Sequence, residues 1–346
     1  MANAEITSRE IINRCIEFNE PPRIGLDFLT PPIGGKVWTF TDFGHVGYIE
    51  DTEFHQSQEG ENEWGIVYET FDPTGSNFGQ PKGNPLGGGW HLLKSYNWPD
   101  FSKPARYAHF GASVNQLHGQ GKYVYGNIQP LMMNALSLRG MENWLMDHFA
   151  SPDELGIILD RFVEINLKIV DEYGKAGFDG VITWDDMGVN DRGFVSPAIF
   201  RQIYLPRYKK IIDAIHERGM HFIHHCCGWV REYMDMFVEG GWDVLQLDQP
   251  NLMGIDWLAE NYGGKLCFWN PVDIQTTMPK GNFDAIEDEA HHQVWAFGRY
   301  GGGFMVKAYQ QPTAVGITTD AAEMQFQAFN KYANYPIVPY NRDSKS

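Results

Sequence analysis

The sequence predicts an α/β fold, a single (β/α)8 barrel of the TIM type with an elaborated N-terminal region. The chain has 346 residues, a length that suits one large barrel. Its second half alternates strand-like and helix-like segments, a pattern typical of a parallel sheet. No Gly-x-Gly-x-x-Gly motif follows any of these strands, which argues against the alternative, a doubly wound dinucleotide-binding sheet. We therefore expect one domain over residues 1–346.

The part before about residue 150 is rich in loops. Short strand-like segments occur at residues 23–28, 37–40, 64–69 and 123–128, among glycine- and proline-rich stretches. The longest of these stretches spans residues 72–89. A loop of that length in a compact protein usually has a function.

The part from about residue 151 to 335 is regular. Ser151-Pro152-Asp153-Glu154 is a capping-box pattern with proline at the first helical position, and it predicts the start of a long helix. The predicted helices span about 151–176, 196–218, 229–239, 255–261, 283–300 and 321–332, and the predicted strands span 178–185, 221–226, 242–248, 265–270 and 303–308. These five strand–helix units and three or four earlier strands add up to about eight strands.

Composition excludes several classes of function. The 27 Lys and Arg against 44 Asp and Glu give a formal net charge of -17, which disfavours binding to nucleic acid or to an anionic membrane surface. No apolar run is long enough to span a membrane, and the N-terminus lacks the pattern of a signal peptide. Two of the four cysteines, Cys226 and Cys227, are adjacent, which suits no ordinary disulfide framework. We expect a cytoplasmic protein.

Polar residues follow the predicted strands at the end where barrel enzymes carry their chemistry. They are Asp185 and Asp186, His225 and Cys227, Asp248, Asn270, and the segment 307–311. Because side chains alternate along a strand, His225 and Cys227 point to one face and His224 and Cys226 to the other.

An imidazole and a thiolate on one face form half of a zinc site, and Asp248 at the end of the next strand adds a carboxylate. The alternative is a buried free cysteine beside a hydrogen-bonded histidine. Asp185 and Asp186 are candidate catalytic residues, as general base and orienting partner or as cation ligands. Alternatively, one caps a loop amide and the other is solvated.

Short motifs along the chain resemble those of the uroporphyrinogen decarboxylase superfamily, in its branch near the corrinoid-dependent methyltransferases. In order they are Asn62-Glu63-Trp64-Gly65, Asp72-Pro73, Gly79-Gln80-Pro81-Lys82, Pro99-Asp100, Ser137-Leu138-Arg139-Gly140, Leu145-Met146-Asp147, Trp184-Asp185-Asp186-Met187-Gly188, Ser196-Pro197 and His225-x-Cys227-Gly228. The resemblance extends from about residue 23 to 330 and implies a (β/α)8 barrel with its site at the mouth.

The resemblance also implies what the site binds. Thiol methyltransferases of this superfamily hold zinc through His-x-Cys, an acidic residue on the next strand and a second cysteine near the last strands. His225, Cys227 and Asp248 match the first three positions, whereas segment 307–312 has no cysteine where the fourth is expected. The arginine-rich segment by which uroporphyrinogen decarboxylases grip their substrate is reduced here to Arg23, so porphyrinogen decarboxylation is not expected.

A zinc site with one thiolate is harder than one with two and suits an oxygen atom. We therefore expect a cobalamin-dependent methyltransferase that demethylates a methoxylated aromatic compound and passes the methyl group to a separate corrinoid protein, because the barrel occupies the whole chain. A homodimer is compatible with the sequence. The expected substrate-binding residues are Trp38, Phe43, Tyr48, Phe78, Asn270, Tyr309 and Gln310. The alternatives are a metal-free decarboxylase or lyase acting on a small aromatic acid, and a binding barrel without activity.

Overall fold

Parallel strands arranged in a ring form the centre of the molecule, as seen in a computed structural model that describes residues 6–28, 40–69 and 80–341. The strands in these ranges are β1 (Gly25–Asp27), β2 (Phe43–His45), β3 (Val67–Glu69), β4 (Gln80–Gly83), β5 (Tyr123–Ile128), β6 (Gly180–Trp184), β7 (His221–Cys226), β8 (Val244–Leu247), β9 (Cys267–Asn270) and β10 (Phe304–Lys307). Eight of them form one sheet in the spatial order β1-β10-β9-β8-β7-β6-β5-β2. All of the pairings within this sheet are parallel.

The ring nearly closes between the first two strands. The backbone N–H of Asp42 donates to the carbonyl of Leu26 (2.8 Å), and that of Phe28 donates to the carbonyl of Phe40 (2.9 Å). The predicted (β/α)8 barrel is therefore confirmed.

Helices surround this sheet. They are α1 (Ser8–Ile16), α2 (Phe110–Gly119), α3 (Leu131–Arg139), α4 (Met141–Ala150), α5 (Pro152–Ala176), α6 (Pro197–Ile199), α7 (Leu205–His216), α8 (Met234–Gly240), α9 (Pro250–Met253), α10 (Ile255–Tyr262), α11 (Phe283–Gly298) and α12 (Thr319–Tyr332). None of the helices in the described ranges is both long enough and apolar enough to cross a membrane.

The longest helix shows how the sequence sets its own limits. Pro152 occupies the first helical position of α5, and Asp153 and Glu154 follow in the first turn, where negative charge is favourable. Gly177 ends the helix in the left-handed conformation (φ 83°). Ser151 forms no side-chain cap, so the predicted capping box is wrong although the helix starts where it was expected.

The five strand–helix units after residue 150 are those that the sequence predicts. The earlier strands differ. The expected strand at 37–40 lies mostly outside the described residues, and the barrel strand of that region is β2. The segment expected as a strand at 64–69 supplies β3, which pairs antiparallel with β4 in a separate hairpin.

Helix α1 closes the amino-terminal end of the barrel. Its apolar face, which includes Ile12 and Cys15, belongs to the same buried cluster as the inward-pointing Tyr123, Ile223 and Met305 of the strands. A separate, larger core lies between the strands and the outer helices. The carboxyl-terminal mouth is therefore the end at which a site can be built.

Candidate active site

Two predicted residues come together where β7 ends. Ile223 belongs to the core inside the barrel, so alternation along β7 directs His225 inward as well. The Nε2 atom of His225 lies 3.7 Å from the Sγ atom of Cys227. His224 and Cys226 are both buried in the opposite direction, and the His224 ring accepts a hydrogen bond from Trp242 (2.8 Å). The predicted facing of these four side chains is confirmed.

The third member of the cluster is Asp186. Its Oδ1 atom lies 3.6 Å from Nε2 of His225 and accepts a hydrogen bond of 2.7 Å from the backbone N–H of Cys227. One ligand atom from each of Asp186, His225 and Cys227 falls within 4.8 Å of the other two. These three side chains, which we call the Asp186 cluster, could hold a metal ion.

The donor set and the spacing of the cluster fit zinc. Zinc favours nitrogen, sulfur and carboxylate ligands, and two ligands of a tetrahedral zinc ion lie about 3.5 Å apart. The Nδ1 atom of His225 lies 2.7 Å from Oε1 of Gln246, its register partner on β8. That amide oxygen can only accept, so Nδ1 carries the proton and Nε2 turns its lone pair towards the cluster.

Burial raises the pKa of the Cys227 thiol well above its usual range, and the carboxylates of Asp186 and Asp248 add to the effect. The thiol therefore keeps its proton unless a cation compensates the negative charge of the thiolate.

Asp248, expected as a metal ligand, has another partner. Its Oδ1 atom lies 3.0 Å from the ammonium of Lys307 on β10, and the two side chains are only 3% and 7% exposed. The sequence places Asp248 correctly at the mouth, but it does not show that an ammonium from β10 pairs with it. The carboxylate that lies within ligand distance of both His225 and Cys227 is that of Asp186, and metal binding by Asp248 stays a prediction.

Asp185 lies outside the cluster, although it is adjacent to Asp186 in the sequence. Its buried carboxylate accepts hydrogen bonds from the backbone N–H groups of Leu131 (2.8 Å), Met132 (2.9 Å) and Met133 (2.8 Å), and from the hydroxyl of Tyr208. Desolvation raises the pKa of Asp185 to about 6, while these hydrogen bonds act against that rise. The Asp185 carboxylate therefore holds the first turn of α3 in place, and its expected catalytic role stays a prediction.

The residues expected to bind substrate occupy several environments. Phe43 stacks on Trp269 inside the barrel (ring centroids 4.5 Å apart). Tyr48 accepts a hydrogen bond from Gln129 and packs on Phe101. Trp38 and Phe78 lie outside the described residues.

Asn270 does not reach the mouth. It is fully buried, and its amide binds the backbone N–H of Leu247 (3.1 Å) and the side chain of Gln293 on α11 (3.4 Å). Substrate binding by Asn270 stays a prediction, with both ends of its amide already bonded within the protein.

Tyr309 and Gln310 lie near the cluster. The ammonium of Lys307 lies 5.9 Å from the centre of the Tyr309 ring. Desolvation, followed by the nearby Asp248 carboxylate, raises the pKa of Tyr309 to about 12. Gln310 lines the cavity described next.

A cavity of about 740 Å³ opens beside the Asp186 cluster, a volume typical of small-molecule sites. Its lining residues are Tyr68, Pro81, Pro130, Met133, Asn134, Ser137, Trp184, Asp186, His225 and Gln310. Most of these residues are not among those that the sequence predicts for the site. The spacing 130, 133, 134 and 137 marks one face of α3, but nothing in the sequence indicates that this face lines a cavity instead of the core.

Comparison with known proteins gives one family match. The profile of the uroporphyrinogen decarboxylase (URO-D) family matches residues 119–302. No curated protein sequence matches the chain significantly.

Solved structures share the fold. A methyltransferase from Methanosarcina mazei superposes with a TM-score of 0.67 at 15% identity, covering 95% of this chain and 99% of that one. At this identity the likeness concerns the fold. D-Psicose 3-epimerase from Clostridium cellulolyticum H10 gives a TM-score of 0.41 at 10% identity, covering 70% of this chain and 84% of that one, which is too weak to argue from.

Proposed function

Because the chain belongs to the uroporphyrinogen decarboxylase family, we propose for it a reaction that this barrel supports at its mouth: methyl transfer from a methoxylated aromatic compound to the cobalamin of a separate corrinoid protein. The observation that carries the proposal is the Asp186 cluster on the wall of the cavity. The methyltransferase with the same fold adds support.

The cluster would hold zinc through Asp186, His225 and Cys227. Zinc bound there would supply Lewis-acid stabilisation for an oxygen atom that gives up its methyl group. The protein's own residues bind and orient the substrate. Trp184, whose ring centroid lies 4.9 Å from that of His225, offers a flat apolar surface next to the cluster, and Met133 adds apolar surface from α3.

Decarboxylation of a porphyrinogen fits this site poorly. Arg23, the basic residue expected at the substrate-gripping segment, forms a two-bonded ion pair with the buried carboxylate of Asp42 (2.7 Å for each bond). Its guanidinium is therefore already neutralised by a residue of the fold. A polycarboxylate would also meet a protein of net charge -17.

The decisive experiment separates the metal site from the reaction. Cys227→Ala should lower zinc from about one per chain to a small fraction, because it removes the thiolate ligand. Cys226→Ala is the matched control. That thiol is buried and donates to the carbonyl of Cys227 (3.2 Å), so its loss should spare the metal and cost about 1 kcal/mol in packing.

The reaction is followed in the same samples. Wild-type protein and Cys226→Ala should consume a Co(I) corrinoid protein in the presence of a methoxyarene, seen as a change in the cobalamin absorption spectrum, whereas Cys227→Ala should not. Lack of transfer from a broad panel of methyl ethers, amines and thiols by the zinc-loaded wild type would exclude the proposal.

The ion pair between Lys307 and Asp248 favours a second candidate, a metal-free decarboxylase or lyase for a small aromatic acid. Lys307 lies in the segment in which the methyltransferases of the family are expected to carry a metal-binding cysteine. The ammonium of a lysine can stabilise negative charge without a metal. A zinc-free wild-type protein that converts such an acid would favour this candidate.

A further inference from the structure

The lining of the cavity beside the Asp186 cluster includes three neutral polar side chains. Asn134 and Ser137 come from one face of α3, and Gln310 follows β10. None of the described lining residues is Lys or Arg. We propose that the cavity takes an uncharged aryl methyl ether that carries a hydroxyl group, and that Asn134 binds this hydroxyl. This inference rests on the proposed function.

Asn134 is held in one orientation by its neighbours. Its Nδ2 atom donates to Oε1 of Gln129 (2.7 Å), and Gln129 in turn donates to the hydroxyl of Tyr48. The backbone of Gln129 is fixed by two hydrogen bonds with the fully buried Asn166, of 2.8 Å and 2.9 Å. One of the two N–H groups of Asn134 is thus used within the protein, while its carbonyl oxygen can accept a hydrogen bond from a ligand hydroxyl and its second N–H can donate one.

The charge of the lining selects against a carboxylate. A hydroxyl can both donate to the Asn134 oxygen and accept from its second N–H, whereas a carboxylate can only accept and brings a negative charge. A carboxylate in the cavity would also lie near Asp186 without a basic lining residue to compensate it. Lys307 is not among the described residues that line the cavity.

A cationic methyl donor is not favoured either. Asp186 is the acidic residue among the described lining residues, and its Oδ1 atom already accepts from the N–H of Cys227 and faces His225. Its charge is therefore directed to the cluster. The remaining wall, with Trp184, Met133 and two prolines, is uncharged and suits a neutral aromatic ring.

The test measures binding to the zinc-loaded full-length protein by calorimetry, without the corrinoid protein. The ligands are 2-methoxyphenol, 2-methoxybenzoate, methoxybenzene and tetramethylammonium. We expect 2-methoxyphenol to bind at least about tenfold more tightly than each of the other three, because it alone combines an uncharged ring with a hydroxyl group that can bond to Asn134.

The variant Asn134→Leu should weaken 2-methoxyphenol about tenfold and leave methoxybenzene unchanged, because only the first ligand uses the amide. Asn143→Leu is the matched control. Asn143 lies on α4 and donates to the carbonyls of Gly87 and Arg139 (3.0 Å each), and it does not line the cavity.

Equal or tighter binding of the benzoate or of tetramethylammonium would overturn the inference, and so would an equal loss for both neutral ligands in Asn134→Leu. A different result would refute the proposed function. Selective binding of 2-methoxyphenol without methyl transfer in the corrinoid assay supports the cavity assignment and refutes the reaction, whereas transfer from the benzoate in preference to the phenol refutes the cavity assignment and supports the reaction.

Discussion

The carboxylates of Asp186 and Asp248 lie on either side of β7 and serve different partners. Asp186 approaches His225 and Cys227, while Asp248 is buried in an ion pair with Lys307. Asp186→Asn should therefore weaken zinc binding at least about tenfold, since it removes a charged ligand. Competition with a chelator whose affinity for zinc is known measures the effect.

Asp248→Asn serves as the comparison. It should keep zinc but lower the free energy of unfolding by about 3 kcal/mol, because the ammonium of Lys307 would remain buried without its counter-charge. Denaturant titration measures that loss. If Asp248→Asn loses the metal and Asp186→Asn retains it, the cluster has been assigned to the wrong carboxylate.

Strand alternation explains why part of this site could be predicted. His225 and Cys227 are two residues apart at the end of one strand, so local geometry alone puts them on one face. Asp186 follows β6 in a loop, where no such rule applies, and a hydrogen bond from the backbone of Cys227 brings it to the cluster. A contact of that kind depends on the tertiary structure and cannot be predicted from the local sequence.

At the scale of elements, the first turn of α3 depends on a carboxylate from β6. Asp185→Asn replaces an acceptor of three backbone N–H groups by a side chain that has only one acceptor atom. We expect a loss of about 2 kcal/mol in the free energy of unfolding at neutral pH, measured by denaturant titration.

The same substitution should affect ligand and metal differently. Met133 and Asn134 lie in the turn that Asp185 holds, so binding of 2-methoxyphenol should weaken. Zinc should remain at about one per chain, since the substitution leaves all three members of the Asp186 cluster in place. Loss of zinc with unchanged stability would instead assign Asp185 to the metal site.

Element prediction was reliable where helices separate the strands and weak where they do not. Beyond residue 150 each strand is followed by an amphipathic helix that confirms it. Before that point β1 and β2 have three residues each, too few for alternation to be recognised. β3 pairs with β4 in a hairpin outside the barrel, and only this long-range pairing distinguishes it from a barrel strand.

At the scale of the whole molecule, two histidines should give stability opposite dependences on pH. Burial lowers the pKa of His148, whose ring bonds to the Tyr204 hydroxyl (2.8 Å). The contribution of His148 to the free energy of unfolding is therefore fully present above the unfolded-state pKa of about 6.5 and is lost as pH falls. A hydrogen bond to Asp243 (2.7 Å) raises the pKa of His216, so its contribution is present at low pH and is lost as pH rises through the folded-state pKa.

Denaturant titrations at several pH values between 5 and 8 test these signs. The destabilisation by His148→Gln should be greatest near pH 8 and shrink towards pH 5. The destabilisation by His216→Gln should instead be smallest near pH 8 and grow towards pH 5. The same trend in both variants would contradict the two assignments.

Because α1 closes one end of the barrel, the order in which a small ligand and a large partner bind and dissociate is restricted. Since the described residues seal the amino-terminal end, a small molecule beside the Asp186 cluster enters and leaves through the mouth. A large partner seated over that mouth would cover the exit. The small ligand must then arrive first and depart last, and while the partner is seated its dissociation slows although none of its own contacts has changed.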